Sequence, residues 1–142
     1  MKYTLIFSLL VSMGVVKHFN PNETLKEEII SKVHFESSYS KAFEEAKLKH
    51  KQLIIKLTAE HCRYCKKMDK EVFEDKEVVE KVNKNFVVLE LDVDKDKLPL
   101  GITKTMTPTF FFVNEEAKIV RKIPGSWNKV DFLDLLQSSL KS

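Results

Sequence analysis

The sequence predicts an α/β fold, a mixed central sheet with helices on both faces. Runs of β-branched and aliphatic residues alternate with segments whose apolar positions recur at helical spacing. The connection from the run at 52–59 to the run at 86–94 is a helical pair over 62–84, long enough to join parallel strands. The last two strand-like runs are separated only by a short turn, so they must pair antiparallel. With 43% hydrophobic and 32% charged residues among 142, the chain has the composition of one soluble domain with a proper core.

The elements follow in order. Ser38 or Ser40 can cap a first helix, in which Ala42, Phe43 and Ala46 recur at helical spacing until about His50. "QLIIKLTA" (52–59) is a buried strand that ends just before the two cysteines. A helix is expected to begin at Cys62, with Met68, Val72 and Phe73 as its apolar stripe, and Asp75 can cap a further stretch carrying Val78, Val79 and Val82. In "FVVLELDVD" the apolar Val87, Leu89, Leu91 and Val93 alternate with Glu90, Asp92 and Asp94, which predicts a strand by its period of two. After a loop containing Pro99 and Gly101, three consecutive phenylalanines and Val113 require burial on both faces of a strand starting immediately after Pro108. "AKIVRKI" is the next strand, reached through a turn at 114–116 and ended by Pro124–Gly125. Val130, Leu133, Leu136 and Leu140 are expected to line the inward face of a last helix capped by Ser126 or Asn128, with Trp127 packing beside it.

Residues 1–14 read as a signal peptide. Lys2 precedes an uninterrupted low-polarity run, Thr4 to Val16, and Ser12 and Gly14 form a small-x-small cleavage site. As a helix this run reaches roughly 20 Å, short of the roughly 30 Å needed to span a bilayer. A buried first element of the domain is the alternative. Residues 15–37 are assigned to a linker or N-terminal extension, and residues 38–142 to the domain. A net charge of +3, with lysines and glutamates interleaved as in "KAFEEAKLKHK", describes a solvated surface and predicts no nucleic-acid partner.

Both cysteines of the chain stand in "HCRYC". At a helix start directly after a buried strand, unpaired N–H groups of the first turn favour a thiolate at Cys62. Cys65, one turn further in, can attack a mixed disulfide at Cys62 and expel the product. Three other readings compete. A structural disulfide would close a very small loop and remove little unfolded-state entropy. A zinc or copper site would have to recruit His61, Met68, His50 or Met106 without a second C-x-x-C. Two inert buried cysteines fit poorly beside His61, Arg63, Tyr64 and Lys66.

Strand, C-x-x-C and helix, followed later by a Thr-Pro-Thr that opens a strand, resemble the thioredoxin-like superfamily. The resemblance covers roughly residues 38 to 140 and is carried by "LTAEHCRYCKKM", "MTPTFFFVN", Gly125 and the final helix. It implies a thioredoxin-like fold and a thiol–disulfide oxidoreductase with Cys62 and Cys65 as the catalytic pair. It also implies a cis Pro108 against the sulfurs, with the backbone of Thr107 pairing with substrate. His61, Arg63 and Tyr64 would tune the couple. By its charge Arg63 favours the Cys62 thiolate, which stabilises the reduced protein and makes the couple more oxidising, so the residues themselves leave the direction open. Relatives often have tryptophan at the place of His61, a buried acid at the place of Lys56 and glycine at the place of Met106. Lys56 is expected to be a strand-end lysine that snorkels to solvent, without a catalytic role.

The style of "AEHCRYCKKMDKEVFEDKEVV" is similar to exported, periplasmic thioredoxin-related reductases and to the C-terminal domain of the membrane disulfide transporter. This implies a monomer that reduces protein disulfides, draws electrons from a membrane donor and needs no dissociable cofactor or metal. The alternative is a copper carrier or redox-sensitive binding module on the same fold.

Overall fold

The computed structural model describes residues 32–140. The expected signal peptide and most of the expected linker therefore lie outside the described residues. The elements are β1 (Phe35–Glu36), α1 (Tyr39–Leu48), β2 (Gln52–Thr58), α2 (Arg63–Met68), a π-helical turn (Asp69–Phe73), α3 (Lys76–Asn85), β3 (Phe86–Asp92), β4 (Thr109–Val113), β5 (Ile119–Pro124) and α4 (Lys129–Ser139). Among the described residues, no helix is long and apolar enough to cross a membrane.

The sheet has the order β1-β3-β2-β4-β5. β3 pairs in parallel with both β1 and β2, whereas β4 is antiparallel to β2 and to β5. Each face carries its own core. On one, Ile54, Val88, Phe110 and Phe112 meet Met68, Val72, Phe73 and the valines of α3, together with Phe132 and Leu136 of α4. On the other, Leu53, Ile55, Leu57, Leu89, Phe111 and Val113 meet Ala42 and Ala46 of α1. This is the expected mixed sheet with helices on both faces.

Three expectations need correction. The sheet begins at Phe35–Glu36, inside the stretch assigned to a linker, where Phe35 and Glu36 align with Val88 and Leu89 of β3. Val33 is buried just before it. Two residues are too few to show any periodicity, so β1 carries no sequence signal. β3 is buried on both faces, because Phe86 and Val88 enter the core opposite that of Val87 and Leu89. Phe86 and Val88 share the face of Glu90, and the valines of α3 with Phe132 and Leu136 of α4 cover them there. On α4, Val130 is 66% exposed, and Phe132, Leu136 and Ser139 are the fully buried residues. The inward stripe is set by Phe132, whose ring lies 5.3 Å from those of both Phe73 and Phe110.

Candidate active site

β2 delivers the chain to the site. Its last residue is Thr58, and a turn over residues 59–61 leads to Cys62, whose N–H donates to the Ala59 carbonyl (3.0 Å). Glu60 in this turn is held by Lys95 at 2.7 Å. Cys62 has extended backbone and is the N-cap of α2, so the helix proper starts one residue later than expected. The Cys65 N–H donates to Cys62 Sγ at 3.1 Å, so one otherwise orphaned donor of the first turn points at this sulfur. The two sulfurs are joined in a disulfide, with Cα atoms 5.2 Å apart. They are not equivalent: Cys62 is half-buried, whereas Cys65 is only 2% exposed.

A second segment reaches the same end of the sheet. Thr109, the first residue of β4, pairs with Leu57 near the end of β2, so Thr107 and Pro108 enter the sheet where β2 leaves it for Cys62. The Thr107–Pro108 peptide is cis, and Pro108 is buried while Thr107 is partly open. The Pro108 carbonyl accepts from the Gly125 N–H at 2.8 Å; Gly125 has a φ of +96°, a conformation that side chains other than glycine resist. Two residues on, the Trp127 N–H donates to Met68 Sδ at 3.4 Å and ties the chain after β5 to α2. Three segments therefore meet at the end of the sheet from which α2 departs.

The flanking residues lie outward. His61, Arg63, Tyr64 and Met106 are exposed. Arg63 turns to Tyr64, with its guanidinium 5.1 Å from the ring centre and a nitrogen donating to the phenol oxygen at 3.3 Å. Among the described residues, no group of three or more His, Cys, Asp or Glu side chains could hold a metal ion.

Lys56 overturns its expected place at the surface. It is 0% exposed, and its Nζ pairs with Asp69 of the π-helical turn and Glu90 of β3. The rings of Phe35 and Phe73 lie 4.8 and 5.0 Å from the ammonium nitrogen, completing the enclosure. β1 covers this end of the side chain, so the lysine cannot snorkel past it. Alternation along β2 turns Lys56 to the same side as Ile54, the side of α2, and Glu90 stands opposite it in the parallel register. That alternation and the register of Glu90 were the available signals; Asp69, 13 residues away in sequence, had none.

Residues 39–139 match the thioredoxin-like domain family. No curated protein matches the chain significantly. Solved structures do. An oxidoreductase named DsbH is 21% identical, with a TM-score of 0.65 over 78% of this chain and 85% of its own. A thioredoxin from Thermus thermophilus is 25% identical, with a TM-score of 0.64 over 77% and 88%. The oxidised C-terminal domain of DsbD from Neisseria meningitidis is 16% identical, with a TM-score of 0.60 over 75% and 99%. With the family match spanning most of the chain and the joined C-x-x-C at the first turn of the helix after a central strand, the chain belongs to the thioredoxin-like domain family.

Proposed function

We propose that the protein is an exported thiol–disulfide oxidoreductase that reduces protein disulfides. The observation that carries this reading is the unequal burial of a joined cysteine pair: Cys62 is open to a partner and Cys65 is closed to all but Cys62. Cys62 attacks, the cis segment Thr107–Pro108 offers its backbone to the substrate strand, and Cys65 resolves the mixed disulfide. Arg63, Tyr64 and His61 form the outer rim of the contact.

Charge beneath the pair supports the reducing direction. Lys56 with Asp69 and Glu90 amounts to one positive and two negative charges, a net negative cluster behind α2. Negative charge works against a thiolate, destabilises the reduced form and makes the couple more reducing. Export rests on Lys2 and the apolar run that follows it. Thiols in an oxidising compartment do not stay reduced unaided, so the electrons come from a membrane donor. A single chain supplies every residue of the site, and the protein acts as a monomer.

Cys65→Ser tests this directly. The variant accumulates partner proteins disulfide-bonded to Cys62, detectable as thiol-sensitive adducts, and the wild-type couple equilibrates below about −200 mV. Absence of adducts while Cys62 still reacts with alkylating agents rejects the catalytic reading. A potential near −120 mV reverses the direction.

A further inference from the structure

Resolution of a mixed disulfide requires Cys65 to lose its thiol proton in a place water barely reaches, since the residue is only 2% exposed. Some group must take that proton. Asp69 stands four residues along, with its backbone N–H donating to the Cys65 carbonyl, and residues at this spacing lie on one face of a helix with Cβ atoms about 5–6 Å apart. Both side chains turn inward: Cys65 is buried, and the Asp69 carboxylate reaches the fully buried Lys56 Nζ. Yet 45% of the Asp69 side chain is exposed, at an open pocket also lined by Lys32, Val33, Phe35, Phe73 and Glu74. The carboxylate thus spans the interior and the solvent. Other acids near the pair are engaged elsewhere, Glu60 with Lys95 and Glu71 with Lys67. Glu90 lies across the Lys56 ammonium, on β3.

We propose that Asp69 is the proton carrier of Cys65 and that Lys56 is the residue that positions it. The inference rests on the two-cysteine mechanism proposed above. In the resolving step the Cys65 thiol gives its proton to the Asp69 carboxylate, directly or through one water. The Cys65 sulfur then bonds to Cys62 Sγ. The bond between Cys62 and the substrate sulfur breaks, and that sulfur departs as a thiolate with the electron pair. Asp69 releases its proton to solvent through the pocket. When a donor thiolate later attacks Cys62, Cys65 leaves and recovers a proton by the same route. Lys56 engages Oδ1 and fixes the carboxylate under the helix, while Oδ2 receives the proton.

The test uses the reduced full chain and the aromatic disulfide 5,5′-dithiobis(2-nitrobenzoate) in stopped flow. A first absorbance phase follows attack by Cys62, and a second follows resolution by Cys65. Asp69→Asn slows the second phase at least about tenfold and leaves the first within about twofold, in line with the typical worth of a positioned base. Asp69→Glu restores much of the loss, and Glu71→Gln, on the same π-helical turn but paired outward with Lys67, leaves both phases intact. A second phase in Asp69→Asn as fast as wild type overturns the proposal, as does slowing by Glu71→Gln alone. A wild-type protein with no second phase overturns the two-cysteine mechanism itself.

Discussion

Lys56 places its ammonium among two carboxylates and two aromatic rings, where most lysines keep theirs in water. Its partners differ from it, because the Asp69 and Glu90 side chains remain 45% and 35% exposed. Losing the lysine therefore strands no fully buried charge; water can take over at both carboxylates. Lys56→Met, which fills much of the same volume with apolar atoms, leaves stability within about 1 kcal/mol of wild type or raises it. Lys56→Ala opens a cavity in the same place and costs about 2–5 kcal/mol. Urea unfolding of the two variants measures this contrast. Equal and large losses would mean that the ion pairs hold the fold together. The cysteines were legible because their chemistry is written over four consecutive positions. Lys56 was not, because its burial depends on Phe35, Asp69 and Glu90, which come from three other elements.

Among the elements, α3 and α4 are tied at their N-termini. Asp75 caps α3, accepting from the N–H groups of Glu77 and Val78, and Lys129 at the start of α4 lies 3.1 Å from both the Asp75 and Glu77 carboxylates. The Lys129 side chain holds the Asp75 carboxyl below its usual range; desolvation opposes it, and the Val78 and Glu77 N–H groups add to the lowering. A carboxyl with a depressed folded value contributes stability above its unfolded value of about 4, and loses that contribution as pH falls through the folded value. Asp75→Asn keeps a competent cap but removes the charge. Its melting temperature is lower than wild type at pH 7, and the gap closes below about pH 4 as the wild-type carboxyl takes up its proton. A gap that does not change with pH would assign the effect to the cap alone. This cap was legible from Asp75 followed by spaced valines. The inward face of α4 was not, since Phe132, Leu133, Leu135 and Leu136 leave several stripes open and only packing against Phe73 and Phe110 chooses among them. The π-helical turn that carries Asp69 also left no pattern, being a single widened turn within a helical run.

For the molecule as a whole, the alternation of strand and helix signals was enough to give the sheet and its two cores. The point where the domain starts required the third dimension. β1 pairs with Val88 and Leu89, and Phe35 packs edge-on to Phe73 at 5.5 Å while covering Lys56. A cleavage after Gly14 would leave this strand on the mature chain. A protein beginning at Ser38, the expected start of the domain, lacks β1 and Val33 and opens Lys56 to water. Relative to a protein beginning at Lys32, it is less stable by about 2–5 kcal/mol from the lost apolar burial of Val33 and Phe35. Its Asp69 also loses the wall that fixes Lys56, so resolution by Cys65 slows while attack by Cys62 does not. Urea midpoints of the two proteins test the first effect, and the two absorbance phases test the second. A shorter protein that matches the longer one in both would show that the edge strand supports neither the core nor the charge cluster behind the cysteines.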